Sequence, residues 1–202
     1  MITVEDSVLV LLAAGRSRRM GDVGSKLDEP FLGRPLGLHV AVALEDMPFR
    51  ERVAVVGRAD CDYAAHGFTL VRNDDPQLGM GRSLALGVAC ARAHGVRGIV
   101  VALADMPRVT ATHILRLLDA AEGDDAVVAS SDGRSPGPPA VFGRARFDAL
   151  ERLEGDAGAR DLVRAGRHVV TAPAELIDVD TAEDLQRLRA LVHAPEARRH
   201  PR

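Results

Sequence analysis

Short unbroken apolar runs alternate with longer amphipathic stretches along this chain. Residues 7–12 (SVLVLL) form one such run, which stops at Ala13-Ala14-Gly15. An apolar run without polar alternation predicts a strand covered on both faces, as in a parallel sheet. Residues 52–56, 68–71 and 98–103 repeat the pattern, and 125–129, 140–142, 168–171 and 176–179 predict further short strands. Helical spacing lies between them. It is expected at 37–44 behind Pro35, at the Ala- and Leu-rich 83–93, at 110–121 with Thr110 as cap, and near 146–153 and 157–165. A last helix is expected at 181–192, with Thr181 as cap and Glu183 and Asp184 in its first turn. Residues 130–139, rich in Gly, Pro and Ser, read as a loop. Strands alternating with helices predict an α/β sandwich on a mostly parallel sheet. One domain over residues 1–193 is expected, followed by a disordered Pro-, Arg- and His-containing tail at 194–202.

Composition narrows the field of functions. The 202 residues are 47% hydrophobic and 27% charged, the balance of an ordinary soluble domain. A formal net charge of -3 gives no general surface for nucleic acid or membrane, and 3% aromatics with no Trp leave few stacking platforms. Cys61 and Cys90 form neither a CxxC nor a zinc spacing. The N-terminus is acidic, and the apolar run 8–14 is too short for a signal segment or a membrane span. A cytoplasmic protein, monomeric and acting on small molecules, is the expectation.

Candidate chemistry sits where α/β folds place ligands, beyond the carboxyl ends of strands. That rule selects the loops after Leu12, Leu103 and Val179. The first, residues 12–26, has small residues at Ala13, Ala14 and Gly15 that permit close backbone approach, then Arg16, Arg18, Arg19 and Lys26. It is neither a P-loop nor GxGxxG, but it is suited to cradling phosphate. The second presents Asp105 before Met106-Pro107. The third contains Asp178 and Asp180. They are expected to point to different faces, so that only one of them shares a site with Asp105. Gly79-Met80-Gly81 leads into a helix with Arg82 or Ser83 near its start, a place that can receive an anion or a base edge.

These segments resemble the molybdenum-cofactor nucleotidyltransferases. The resemblance is carried by LAAGRSRRMG at 12–21 followed by Lys26, GRPL at 33–36, Asn73 with GMGRSL at 79–84, and ADMP at 104–107. It continues with GPPAVF at 137–142, GDAGAR at 155–160 and DVDTAEDL at 178–185, in the family's order. The chain departs from the pattern in a longer 20–26 stretch, in Pro138 where the cytidylyl branch commonly has His, and in Ala182 where Pro is usual.

The resemblance implies a Rossmann-like three-layer α/β/α sandwich of the nucleotide-diphospho-sugar transferase type. It also implies transfer of a nucleoside monophosphate, with CTP favoured over GTP by the Ala-Ala-Gly and GMxxSL forms, to the phosphate of molybdopterin with release of pyrophosphate. Leu12, Ala13, Ala14, Gly15, Arg19, Lys26, Asn73, Gly79, Ser83 and Asp105 would bind the nucleotide. Arg19, Lys26 and Asp105 would act in catalysis, and Asp105 and Asp180 would hold Mg²⁺, with Asp178 the lower-ranked alternative to Asp180. Gly155, Asp156 and Arg160, with Arg144 or Arg146, are candidates for the acceptor phosphate. A transient contact with a molybdoenzyme or its chaperone is also implied. The competing readings are a transferase for another phosphate acceptor, a flavin- or nicotinamide-dependent reductase of the nicotine-degradation type, and a nucleotide-binding regulator.

Overall fold

A computed structural model describes residues 1–15, 25–155 and 159–193. In chain order the elements are β1 (Ser7–Ala13), the hairpin strands β2 (Pro30–Phe31) and β3 (Arg34–Pro35), and α1 (Leu38–Leu44). Then follow β4 (Glu51–Val56), β5 (Thr69–Arg72), α2 (Met80–Ala93), β6 (Gly98–Leu103) and α3 (Ala111–Asp119). The remainder is β7 (Val127–Ser131), β8 (Pro136–Gly143), α4 (Phe147–Glu151), α5 (Arg160–Ala165), β9 (Arg167–Val170) and α6 (Ala182–His193).

Seven strands form one sheet in the order β5-β4-β1-β6-β8-β7-β9. β1 pairs in parallel with β4 and with β6, and β4 pairs in parallel with β5. β8 lies antiparallel to both β6 and β7, and β7 is parallel to β9, so β8 alone is reversed. All seven residues of β1 are buried, because both faces of a central parallel strand are covered. Side chains alternate across the strand. Leu9, Leu11 and Ala13 enter a core shared with α1 and α3, whereas Val8, Val10 and Leu12 enter one shared with α2 and α4. This makes three layers. α2 lies so close to the sheet that a Cβ on Gly87 would sit 2.3 Å from Val10 Cγ1. A smaller cluster of Phe31, Leu36, Val179, Leu185 and Leu188 fastens α6 to the β2–β3 hairpin.

Several expected elements differ from those observed. β8 extends back to Pro136, so the 130–139 loop shrinks. Its prolines are tolerated because the ladder to β6 covers only 140–143 and the register shift against β7 falls at Pro138 and Pro139, leaving only Pro136 in register, opposite Ser131. No strand forms at 176–179 among the described residues. A 3-10 turn at Pro173–Leu176 leads instead into irregular chain. α2 begins at Met80, with Gly79 at its cap in a left-handed φ of 88°, so Ser83 lies within the first turn of the helix. Thr110 does cap α3, accepting from the His113 amide. The tail at 194–202 lies outside the described residues.

Candidate active site

The topology fixes where a site can form. From β1 the chain passes through α1 to β4 on one side, and from β5 it returns through α2 to β6 on the other. The crevice between the carboxyl ends of β1 and β6 is therefore a switch point, where open α/β sheets bind ligands. The Ala104 amide donates to Leu12 O (3.1 Å), which aligns the two strand ends and places Asp105 beside the first loop. The Val179 amide donates to Asp105 O (3.0 Å), which brings the 178–180 segment to the same rim. Leu12, Ala13 and Ala14 are buried there, and Gly15 is exposed with open space around its Cα. Arg19 lies outside the described residues.

Lys26 stands at the centre of this rim. Its side chain is 8% exposed, and its Nζ lies 2.7 Å from Asp105 Oδ2 and 2.7 Å from Asp180 Oδ1. Burial alone would lower the ammonium's pKa, but the two carboxylates outweigh it and hold Lys26 above its ordinary range. The backbone beneath Lys26 is tied down on several sides. Ser25 caps the Lys26–Asp28 turn, the Gly37 amide and the Cys61 thiol donate to Leu27 O (2.9 and 3.3 Å), and the Asp60 amide donates to Asp28 Oδ1 (2.8 Å). Burial, with the Asp28 carboxylate, pushes the Cys61 thiol up to about 12, so it stays protonated and is no nucleophile.

Asp180 precedes α6, and a capping box orders that helix start. Asp184 Oδ2 accepts from the Thr181 amide and hydroxyl (2.9 and 2.8 Å), while the Asp184 amide donates to Thr181 Oγ1 (3.1 Å). Asp178 corrects an expectation. It does not face away: partial desolvation and the negative charges of Asp105 and Asp180 together raise its carboxyl above the usual range, although one side is open to solvent. Residues two apart in extended chain lie on one face, not opposite ones, and all three carboxylates gather at this rim.

These groups suit a divalent cation. Mg²⁺ uses one or two protein carboxylates and completes its shell with phosphates and water. Asp105 and Asp180 offer that number, and Asp105 Oδ1 is buried with no hydrogen-bond partner among the described residues. No group of three or more His, Cys, Asp or Glu close enough to cage a metal exists among those residues.

The nucleotide-side candidates around α2 are more tightly engaged than expected. Asn73 and Ser83 are buried and bonded to each other, Nδ2 donating to Oγ at 2.9 Å, while Asn73 Oδ1 accepts the Asp75 amide (3.0 Å). They brace the Gly79 loop against the end of β5. Gly81, read from the sequence as part of the Gly-rich entry to this helix, has a second role: its amide donates to Gly155 O (3.0 Å), and a Cβ there would press on Leu153 and Glu154 backbone at 3.0–3.1 Å. Through that bond the 79–83 and 153–155 segments touch.

The acceptor candidates are split. Gly155 meets this helix start through Gly81, Arg160 is the exposed first residue of α5, and Asp156 lies outside the described residues. Arg144 and Arg146 do not belong here. Arg144 binds Asp124 and Arg146 binds Asp125 O, at the opposite end of β8, where Gly143 pairs with Gly98 at the start of β6. A cleft of about 310 Å³ opens instead next to Asp105, between Leu103 and Met106, the β7–β8 hairpin, the Pro173–Leu176 turn and Asp178. Its hairpin residues Asp132 and Ser135 were not foreseen, although Asp-Gly-Arg-Ser is the pattern of an Asx turn.

An ammonium held between two carboxylates at the switch point of the sheet is a place where a phosphate-bearing ligand can be received. A profile of the MobA-like NTP transferase domain matches residues 9–171, and the chain belongs to that family. The purine catabolism protein PucB of Bacillus subtilis is 34% identical over 199 residues, covering 89% of this chain and 94% of its own. The nicotine blue oxidoreductase of Paenarthrobacter nicotinovorans is 35% identical with the same coverage. Rv0371c of Mycobacterium tuberculosis, solved in complex with manganese, is 29% identical with a TM-score of 0.69, over 90% of this chain and 97% of that one. No helix among the described residues is long and apolar enough to cross a membrane.

Proposed function

We propose that this nucleotidyltransferase moves CMP from CTP to the terminal phosphate of a molybdopterin-type acceptor and releases pyrophosphate. The observation that carries the reading is Lys26 Nζ held 2.7 Å from both Asp105 and Asp180 at the switch point. An acceptor phosphate oxygen attacks the α-phosphorus, and the bond from that phosphorus to the α,β-bridging oxygen breaks. A phosphomonoester is mostly dianionic near neutral pH, with a second pKa of about 6, so no general base is required. Lys26, with Arg19, neutralises the charge that grows on the departing pyrophosphate. Asp105 and Asp180 would hold Mg²⁺, which when bound supplies Lewis-acid polarisation and charge neutralisation at the phosphates. Ala13, Ala14 and Gly15 leave the backbone open to the triphosphate. Gly79, with Asn73 and Ser83 bracing it, shapes the base side, and Gly155, Asp156 and Arg160 are the residues we assign to the acceptor phosphate. The preference for CTP rests on the Ala-Ala-Gly form of the first loop.

The test is pyrophosphate release from CTP or GTP, with and without molybdopterin, in Mg²⁺ or Mn²⁺. Release that requires the acceptor and prefers CTP is expected. A folded protein that releases none from either nucleotide sinks the reading. The relative named nicotine blue oxidoreductase supports a second reading, a reductase. It predicts a coloured purified protein or NADH consumption without nucleotide triphosphate, in a chain where no strand leads into GxGxxG.

A further inference from the structure

Residues 57–63, the chain just beyond β4, supply no group to the proposed chemistry, yet they touch the first loop at both of its ends. At the near end Ala13 pairs with Val56, and a Cβ on the following Gly57 would lie 3.2 Å from Ala14 Cα and 3.4 Å from Ala14 O. Those spacings are tighter than an ordinary van der Waals contact, so the bend after β4 lies directly on the backbone that opens the loop. At the far end the same segment meets the Lys26–Asp28 turn through two donors. The Asp60 amide donates to Asp28 Oδ1 at 2.8 Å, and the Cys61 thiol donates to Leu27 O at 3.3 Å, with Asp28 Oδ1 3.6 Å from the sulfur. Burial and the Asp28 carboxylate keep that thiol protonated, so it remains a donor.

The segment is itself fixed from the core side. Tyr63 is fully buried, and its ring meets Phe68 edge-on with centroids 6.3 Å apart. The start of α1 closes over it. A Cβ on Gly37 would sit 2.7 Å from Tyr63 Oη, 2.9 Å from Leu27 Cβ and 3.1 Å from Cys61 Sγ. Packing this close passes a displacement on instead of absorbing it. A shift of the Leu27–Asp28 backbone carries Lys26 with it, and with Lys26 the ammonium that stands 2.7 Å from Asp105 and from Asp180.

We propose that residues 57–63 are a positioning clamp. By holding Ala14 at one end and the Leu27–Asp28 backbone at the other, they set the span of the first loop and so place the Lys26 ammonium for the β- and γ-phosphates of a bound nucleotide. Asp28, Asp60 and Cys61 act through Lys26 and touch no substrate themselves. The inference rests on the reading of the chain as a nucleotidyltransferase and adds which segment keeps its phosphate loop in register.

The experiment compares nucleoside triphosphate with monophosphate, because Lys26 acts on phosphates that the monophosphate lacks. CTP against CMP, and GTP against GMP, are titrated by calorimetry in Mg²⁺ without any acceptor, so no turnover is needed. Asp28→Ala removes the acceptor of the Asp60 amide, and Asp28→Asn keeps an oxygen in its place. Asp28→Ala is expected to weaken triphosphate binding about tenfold, the lower end for a hydrogen bond to a charged group, because Asp60 is exposed. Monophosphate binding should stay unchanged, and Asp28→Asn should restore most of the loss. In a Lys26→Met background the same Asp28→Ala change should cost nothing further, the coupling expected of a residue that acts through another. Cys61→Ala should shift binding in the same direction by less, since Leu27 O keeps the Gly37 amide at 2.9 Å, and it decides by the same comparisons if Asp28→Ala fails to fold. Unchanged triphosphate binding, an equal loss for triphosphate and monophosphate, or a loss that adds fully to that of Lys26→Met overturns the clamp. Each of those outcomes leaves the transferase reading standing while the wild-type protein binds a triphosphate. A folded wild-type protein that binds neither CTP nor GTP overturns both.

Discussion

Replacing Lys26 by Met removes a charge from between two carboxylates while keeping most of the side chain's volume. The gross attraction of Lys26 for one carboxylate 2.7 Å away is about 6 kcal/mol at an effective dielectric of about 20. Desolvation offsets most of that. Breaking a fully buried pair costs roughly 3–5 kcal/mol and an exposed pair contributes at most about 1. Lys26 is 8% exposed, Asp105 19% and Asp180 42%, so an intermediate loss of about 2 kcal/mol is expected. For a domain of this size that is about 4–8 °C in Tm. The same change removes the ammonium that competes with a divalent cation for Asp105 and Asp180. Lys26→Met should therefore bind Mn²⁺ or Mg²⁺ about thirtyfold more tightly, the equivalent of the same 2 kcal/mol. The assay is thermal melting in EDTA and across a metal titration. The variant should melt lower in EDTA and gain more than wild type when metal is added. Equal melting in EDTA together with equal metal affinity would refute the placement of Lys26 between the two carboxylates.

Other expectations follow from the same coordinates. Asp105→Asn should cut acceptor-dependent pyrophosphate release by about a hundredfold or more with a cooperative melt retained, whereas unchanged turnover removes Asp105 from the site. Gly87→Ala puts a Cβ 2.3 Å from Val10 Cγ1 and 3.3 Å from Val55 Cγ2, an overpacking that costs about 1–3 kcal/mol. Its Tm should fall by several degrees and its KM for nucleotide should rise, since α2 carries the Gly79 loop. An unaltered Tm would show that α2 has room to shift. Burial lowers the pKa of His113, aided by Arg116 and opposed by Glu175, and its Nε2 lies 2.7 Å from Ser130 Oγ, whose hydrogen goes to Pro139 O. A folded-state value below the ordinary 6.5 means the unfolded chain binds the proton more readily. This stability is complete above that pH and is lost as pH falls through the folded value. Urea melts of wild type and His113→Gln from neutral to mildly acid pH should converge on acidification, and parallel curves would contradict it.

The sequence made the strands of the central sheet legible where burial on both faces leaves no polar alternation. Residues 7–12 and 98–103 were placed correctly because β1 and β6 are flanked on both sides. The prolines of 136–139 concealed the first half of β8, of which only 140–142 reads as a strand, since a backbone without donors gives no ladder signal even where the chain runs extended. Residues 176–179 read as a strand because Ile177 and Val179 are apolar, but those side chains serve the satellite cluster under α6, not a sheet. At the rim, Lys26, Asp105 and Asp180 were each singled out by residue type, whereas their mutual contact depends on the Val179 amide reaching Asp105 O across the fold, a long-range pairing no local pattern encodes. The cleft was hidden for the same reason: four separate segments line it, and none carries a motif alone.

The small cluster under α6 has a consequence for biosynthesis. Asp180 sits on the same segment as Val179, Leu185 and Leu188, which pack with Phe31 and Leu36, so a ribosome must release the chain through about residue 188 before that packing can hold Asp180 at the rim. Every strand of the seven-stranded sheet precedes residue 171, and a message cut short just beyond that point would encode all of those strands yet lack one of the two carboxylates that hold the ammonium. Abundance of such a truncated product would then say nothing about whether its rim is assembled, since Lys26 gains its second carboxylate only from the segment that leads into α6.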